Sequence, residues 1–292
     1  MAHRRRQLSR TVVLDRSLEA LPLFQLSDSA DDSSITFNSE SGGRWRVLPA
    51  PGERLPGTFD QDVYVELLRR FHEAASPVDG ALTFTLHAFL RSMGRRVDGR
   101  TYEQLRSALT RLERTILESD AVYLDGASGA LFTGRLTVLA SVHIDRRRLT
   151  DLNQLTLFST LTNNEPGEAR VVISAPLRVN IAAERATTIS APRFFALSSP
   201  VARRLYRLLE VARIERGSPW NVSLERLAEL LPLVQRYPSH LQRVLQPAHE
   251  MLVAAGLLRE AVFTQDGKSW SIEYRLTPGK FHRTPSGVSL KL

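Results

Sequence analysis

One local pattern is written twice in this chain, and it restricts the possible folds more than any other feature. Each copy opens with an amphipathic helix, adds a short second helix and a capped third helix with a polar outer face, and closes with a strand–turn–strand. The first copy runs from Asp60 to about Ile144 and the second from Ser198 to about Thr277. Helix–turn–helix followed by a β-hairpin is the order of a winged helix, whose third helix commonly lies in the major groove of DNA. The expectation is an α+β fold made of two tandem winged-helix domains.

In the first copy, Val63, Leu67, Leu68 and Phe71 recur at helical spacing from Asp60 to Ala74. A turn at Pro77–Gly80 leads to a short helix over Leu86–Ser92, ended by Gly94. Asp98-Gly-Arg-Thr101 opens the third helix, and Thr101 with Gln104 has capping-box spacing. Tyr102, Leu105, Ala108, Leu109, Leu112 and Ile116 then share one face. Val122–Leu124 and Leu131–Thr133 bracket the turn Asp125-Gly-Ala-Ser-Gly129 as a wing, with a further strand over Leu136–Ile144.

In the second copy, Ser198-Ser-Pro200 caps a helix carrying Val201, Leu205, Leu208, Leu209 and Ala212. Leu224, Leu227, Leu230 and Leu231 mark a short helix that Pro232 ends. Tyr237-Pro-Ser239 starts the third helix, with Pro238 in the first turn, where its missing donor is tolerated. Leu241, Val244, Leu245, Ala248, Leu252 and Ala255 line the inner face, and Gly256 closes it. Pro247 is expected to kink the helix, because an interior proline removes a hydrogen bond. Leu257–Thr264 and Ser269–Leu276 form the second wing around an Asp-Gly turn.

Around these copies the chain reads as a basic flexible arm (1–17), a first domain with an N-terminal extension (18–150), a connector (151–169), a second domain (170–278) and a polar tail (279–292). Residues 27–44 read as a loop, Arg44–Leu48 as a strand, and Arg170–Ile173 and Leu177–Ala182 as β-rich. At 292 residues the chain can build two cores. It has no apolar run long enough to span a membrane, and its N-terminus does not read as a secretory signal. The absence of cysteine excludes disulfides and thiolate metal sites, and is compatible with a cytoplasmic location.

A net charge of +8 favours a polyanionic partner. All but three of the 39 basic residues are arginine, a preference that a GC-rich genome also produces. On the first copy's third helix the candidate DNA contacts are Arg100, Arg106, Ser107, Thr110, Arg111 and Arg114; Arg146 and Arg147 follow in the connector. The second copy offers Arg236, Ser239, His240, Gln242, Arg243 and Gln246, and its wing offers Lys268. Arginine and glutamine suit guanine and adenine edges, and the first two turns of such a helix read base edges. The same residues also describe a solvated helix face, and winged helices serve as protein-interaction modules too.

Signals for catalysis are poor. Gly267-Lys-Ser269 resembles the end of a phosphate-binding loop, but Val262 stands where that motif needs glycine. No His-x-His or His-x-x-x-His pair occurs, so neither a metal site nor a nicking centre is expected. Asp60 and Asp62 read as first-turn acids favoured by the helix dipole. No catalytic residue, cofactor or metal is assigned.

Leu18-Glu-Ala-Leu-Pro-Leu-Phe24 and Leu55-Pro-Gly-Thr-Phe-Asp-Gln-Asp-Val-Tyr64 resemble the opening of plasmid replication initiators of the protein A (RepA-like) family. Asp79-Gly-Ala-Leu-Thr-Phe-Thr-Leu86, Tyr102–Leu112 and Leu117–Tyr123 are similar to its next blocks. The resemblance implies a non-enzymatic initiator that binds repeats in double-stranded origin DNA, opens nearby DNA and recruits host helicase. It further implies monomers on direct repeats and a homodimer on an inverted repeat. A dimeric transcriptional regulator, a protein-interaction scaffold and a nuclease remain alternatives.

Overall fold

The computed structural model describes residues 10–26, 34–144, 168–183, 185–235, 237–267 and 269–277. Its architecture is mixed α and β. The same order of helix, strand, helix, helix and two strands occurs twice. The first set is α2 (Thr58–Glu73), β4 (Ala81–Thr85), α3 (Leu86–Ser92), α4 (Gly99–Arg114), β5 (Ile116–Leu124) and β6 (Leu131–Leu136). The second is α7 (Pro200–Glu215), β10 (Trp220–Ser223), α8 (Leu224–Leu230), α9 (Pro238–Ala254), β11 (Leu258–Asp266) and β12 (Ser269–Leu276). Both sets contain a strand before the short helix that hydrophobic periodicity does not announce.

Among the described residues the strands form four antiparallel sheets. The first wing belongs to a four-stranded sheet in the order β2 (Ile35–Asn38), β3 (Arg44–Leu48), β5, β6; the second is a three-stranded sheet in the order β10, β12, β11. A third sheet places β8 (Glu168–Ile173) between β4 and β7 (Leu139–Ile144). So β8, expected at the start of the second unit, pairs with strands of the first. A two-stranded sheet joins β1 (Thr11–Asp15) to β9 (Ala186–Ser190).

Three further expectations change. Thr11–Asp15 is a strand with Val12 and Leu14 fully buried, so the described end of the expected arm is core. Ile35–Asn38 is a strand rather than loop, because Phe37 packs inward opposite Trp45. Leu177–Ala182 lies in helix α5 (Ala175–Ala182) instead of a strand. Its β-branched Val179 and Ile181 suggest a strand, but Pro176 in the first turn sets helical φ.

Capping explains the boundaries of α4 and α9. The Asp98 carboxylate accepts from the Thr101 amide at 2.9 Å, and the Thr101 hydroxyl accepts from the Asp98 amide at 3.1 Å. This reciprocal pair starts α4 three residues before the expected Thr101–Gln104 box. Helix α9 starts at Pro238, runs through Pro247 without a break and ends at Ala254, with Gly256 just beyond, whose φ of +65° suits glycine. Pro247 is exposed, and its ring nitrogen leaves the Arg243 carbonyl without the usual helical donor.

One cluster of buried apolar side chains runs through both copies. Polar groups are buried where the copies meet. Helix α1 (Arg16–Glu19) presents Glu19, 1% exposed, to Arg204 at 3.3 Å and Arg207 at 2.5 Å on α7. Arg207 also donates to Gln61 at 2.7 Å on α2, and Asp62 takes Arg203 and Arg95 at 2.5 Å each. Buried charges of this kind are tolerated only when paired.

Candidate nucleic-acid interface

The two third helices carry the residues expected to meet DNA, and their surroundings differ. On α4, Arg100 and Ser107 are exposed and Thr110 is half-buried. The other three arginines of the helix are engaged by the protein itself. Arg111 forks onto Asp60 with bonds of 3.1 and 2.8 Å, its side chain only 14% exposed. Arg106 pairs with Glu103 one turn earlier, and Arg114 reaches Glu53 at 2.9 Å. Loop residues Gly52–Arg54 come over the same face and enclose, with Arg106, Ser107 and Arg111, a cavity of about 600 Å³. Three acidic side chains thus stand among the arginines of this face.

The first wing is also held. The Asn180 side chain on α5 accepts from the Gly126 amide in the wing turn at 2.5 Å. Its amide donates to the Leu124 carbonyl at 2.9 Å and to Asp15 at 3.0 Å. Tyr123 of β5 donates to the same Asp15 carboxylate at 2.5 Å. Burial pushes the Asp15 carboxyl up to about 7, against the pull of these donors.

On α9 the outward side chains are less encumbered. Ser239, His240, Arg243 and Gln246 are exposed and Gln242 is half-buried. Among the described residues Ser239, Gln242 and Arg243 have no side-chain hydrogen bond or ion pair, while Gln246 donates to Glu250 at 2.9 Å. His240 makes an edge contact with Tyr237, ring centroids 5.9 Å apart.

The inner face of α9 is fixed to its wing sheet. Leu241, Leu245, Ala248 and Leu252 are buried, and His249 meets the Tyr274 hydroxyl at 2.9 Å through Nε2. Tyr274 stacks in turn on Trp220 of β10. Burial pushes His249 down to about 4, so the ring is neutral at ordinary pH. Neither this histidine nor the buried arginines of α7 stand out in the sequence; an amphipathic pattern assigns such polar types to the surface.

Arg146, Arg147, Arg236 and Lys268, also expected at the interface, lie outside the described residues. Asp60 caps its helix at the Gly57 amide, 2.6 Å away, as expected of a first-turn acid, and in addition anchors Arg111. His143 is exposed on β7. Among the described residues no group of three His, Asp or Glu side chains is arranged to hold a metal ion, and no helix is long and apolar enough to cross a membrane. Two exposed apolar residues are absent from the sequence-predicted contacts: Val234, and Tyr237, which the sequence marks only as part of the start of α9.

Comparison with known proteins gives concordant results. A family model described as replication initiator protein A matches residues 14–232. A putative replication protein of Wigglesworthia glossinidia brevipalpis is 27% identical over 212 residues, covering 70% of this chain and 69% of that protein. Among solved structures, a crystal structure of domains 2 and 3 of RctB superposes with a TM-score of 0.59, covering 90% of this chain and 99% of the other. A second RctB structure of the same domains gives 0.51 over 89% and 96%. Both are 10% identical, so the likeness is one of fold.

Proposed function

The chain belongs to the replication initiator protein A family, and from that premise we propose that it is a sequence-specific binder of double-stranded origin DNA built from two tandem winged-helix domains. The observation that carries this reading is the outer face of α9. It presents Ser239, His240, Arg243 and Gln246 to solvent on a helix held rigidly by its buried side. Docked in a major groove, Arg243 offers a planar fork to a guanine edge, and Gln242 or Gln246 suits adenine. The first copy contributes position more than base reading, because Arg106, Arg111 and Arg114, three of its four outer arginines, already have acidic partners while Arg100 stays exposed.

Function then follows from binding, not from bond cleavage. Several protomers on repeated sites would strain the adjacent duplex and present a surface to host helicase, and a homodimer would occupy an inverted repeat. The buried ion network between the copies supports a fixed spacing between α4 and α9.

The test is footprinting on the DNA upstream of the protein's own gene. Protection of direct repeats is expected, with affinity falling steeply between about 50 and 200 mM salt as bound phosphates release counterions. Absence of protection, or salt-insensitive protection, would overturn the proposal. A plasmid carrying the gene and those repeats is further expected to replicate autonomously; protection without replication would reduce the protein to a DNA-binding regulator.

A further inference from the structure

Six large apolar side chains stand exposed among the described residues, and two of them, Val234 and Tyr237, lie three positions apart at the entrance to α9. Val234 is 55% and Tyr237 72% exposed, while Leu231 and Leu233 beside them are buried. The core therefore does not need these two side chains. The Tyr237 ring is directed by its edge contact with His240, at an interplanar angle of 77°, and His240 leads along the helix to Arg243. An apolar spot thus adjoins a polar face whose cation, Arg243, has no acidic partner among the described residues.

The surroundings restrict what such a spot meets. A purely apolar partner would leave Arg243 desolvated and unpaired, which is costly. Duplex DNA supplies both complements at once, because the major groove is anionic and displays one apolar group, the 5-methyl of thymine. We infer that Tyr237 forms the contact for a thymine 5-methyl group at the edge of the site read by α9. The inference rests on the reading that α9 enters the major groove, and it adds a base preference that no polar residue of the helix supplies.

The experiment uses the upstream fragment protected in footprinting, amplified with either dTTP or dUTP so that the probes differ only in the thymine methyl groups. Wild type is expected to bind the uracil probe roughly fourfold more weakly for each contacted methyl, the factor that burial of one methylene-sized group gives. Tyr237→Ala should bind the two probes within about twofold of each other, and Tyr237→Phe should keep the discrimination, since the ring makes the contact. Exposure of Tyr237 leaves the fold of both variants intact, which thermal melting verifies. Wild-type affinity equal on both probes, or an unchanged ratio in Tyr237→Ala, overturns the thymine contact alone. Lost self-association in Tyr237→Ala with unchanged DNA affinity assigns the patch to a second copy and overturns it as well. Failure of wild type to protect any fragment overturns this inference together with the reading beneath it.

Discussion

The third helices of the two copies, α4 and α9, begin from similar sequence patterns and end in different company. Both are amphipathic, both follow a short helix, and both show arginine on the outer face. Along α4 the arginines at 106, 111 and 114 each find a carboxylate, from the same helix, from α2 and from the 52–54 loop. Along α9 the outward positions are open to solvent, apart from the Gln246–Glu250 hydrogen bond and the His240–Tyr237 ring contact. An arginine already paired with a carboxylate gives up part of that pairing on meeting a phosphate, at a cost that is large for the buried Arg111 and small for the more exposed Arg106 and Arg114. Equal charge in the sequence therefore does not mean equal readiness to bind a phosphate or a base.

The wings repeat the contrast. The first is one side of a four-stranded sheet, tied to α5 through Asn180 and to the N-terminal segment through Asp15. The second closes a sheet of its own, in which Asp266 pairs with Ser269. The first copy is integrated into the body of the molecule, and the second keeps a helix face and a hairpin tip at the periphery.

The largest expected effect lies where the copies join. Glu19→Ala leaves Arg204 and Arg207 buried without their carboxylate, and should cost about 3–5 kcal/mol of stability in denaturant melts. If the copies are one cooperative body, Trp45 in the first and Trp220 in the second will report the same transition. Separate transitions would show that the copies fold independently and that the junction does not set their spacing.

A second contrast is expected in pH dependence, with opposite signs for His249 on α9 and Asp15 in the N-terminal strand. His249 is depressed to about 4 in the folded protein, so the stability it lends is intact above its ordinary value of 6.5 and shrinks as pH falls from there towards 4. The loss amounts to about 3 kcal/mol, and His249→Gln should flatten that acid limb. Asp15 is raised to about 7, so its contribution is complete below its ordinary 3.8 and is lost as pH rises through about 7. Asp15→Asn should flatten the alkaline side. Melting curves from pH 4 to pH 8 separate the two; matching slopes in both variants would contradict the assignment.

Arg111→Ala should come next, at about 2–3 kcal/mol, because it strips the Asp60 carboxylate of its buried partner. Its effect belongs to stability. Affinity of the folded variant for the protected repeat should stay near that of wild type, and a tenfold loss of affinity at unchanged melting temperature would return α4 to a base-reading role.

Much of this organisation is legible in the sequence. Apolar spacing from Val63 to Phe71 and from Leu241 to Leu252 reports helices that bury those faces, and Gly94 and Gly256 mark where helices stop. Strands β4 and β10 are missed because each is short and depends on a distant partner, β8 or β12, that local periodicity does not reveal. The interface residues are half legible for the same reason. Arg111 and Arg243 look alike in sequence, and only the arrival of Asp60, 51 residues away along the chain, separates them. Arg204 and Arg207 are hidden further, since charged residues on a helix point to solvent unless a carboxylate from elsewhere is buried with them. Tyr237 is legible only as part of a helix start, and its exposure emerges from the structure alone.

The central claim is that base reading resides on α9 and not on α4. The most direct measurement is the ratio of affinities for the protected repeat and a scrambled duplex, at one salt concentration, for Arg243→Ala/Gln246→Ala and for Arg111→Ala/Arg114→Ala. The first pair should lose about 1–3 kcal/mol of discrimination while the second keeps the wild-type ratio. The reverse ranking, with discrimination lost only in the α4 pair, would contradict the claim.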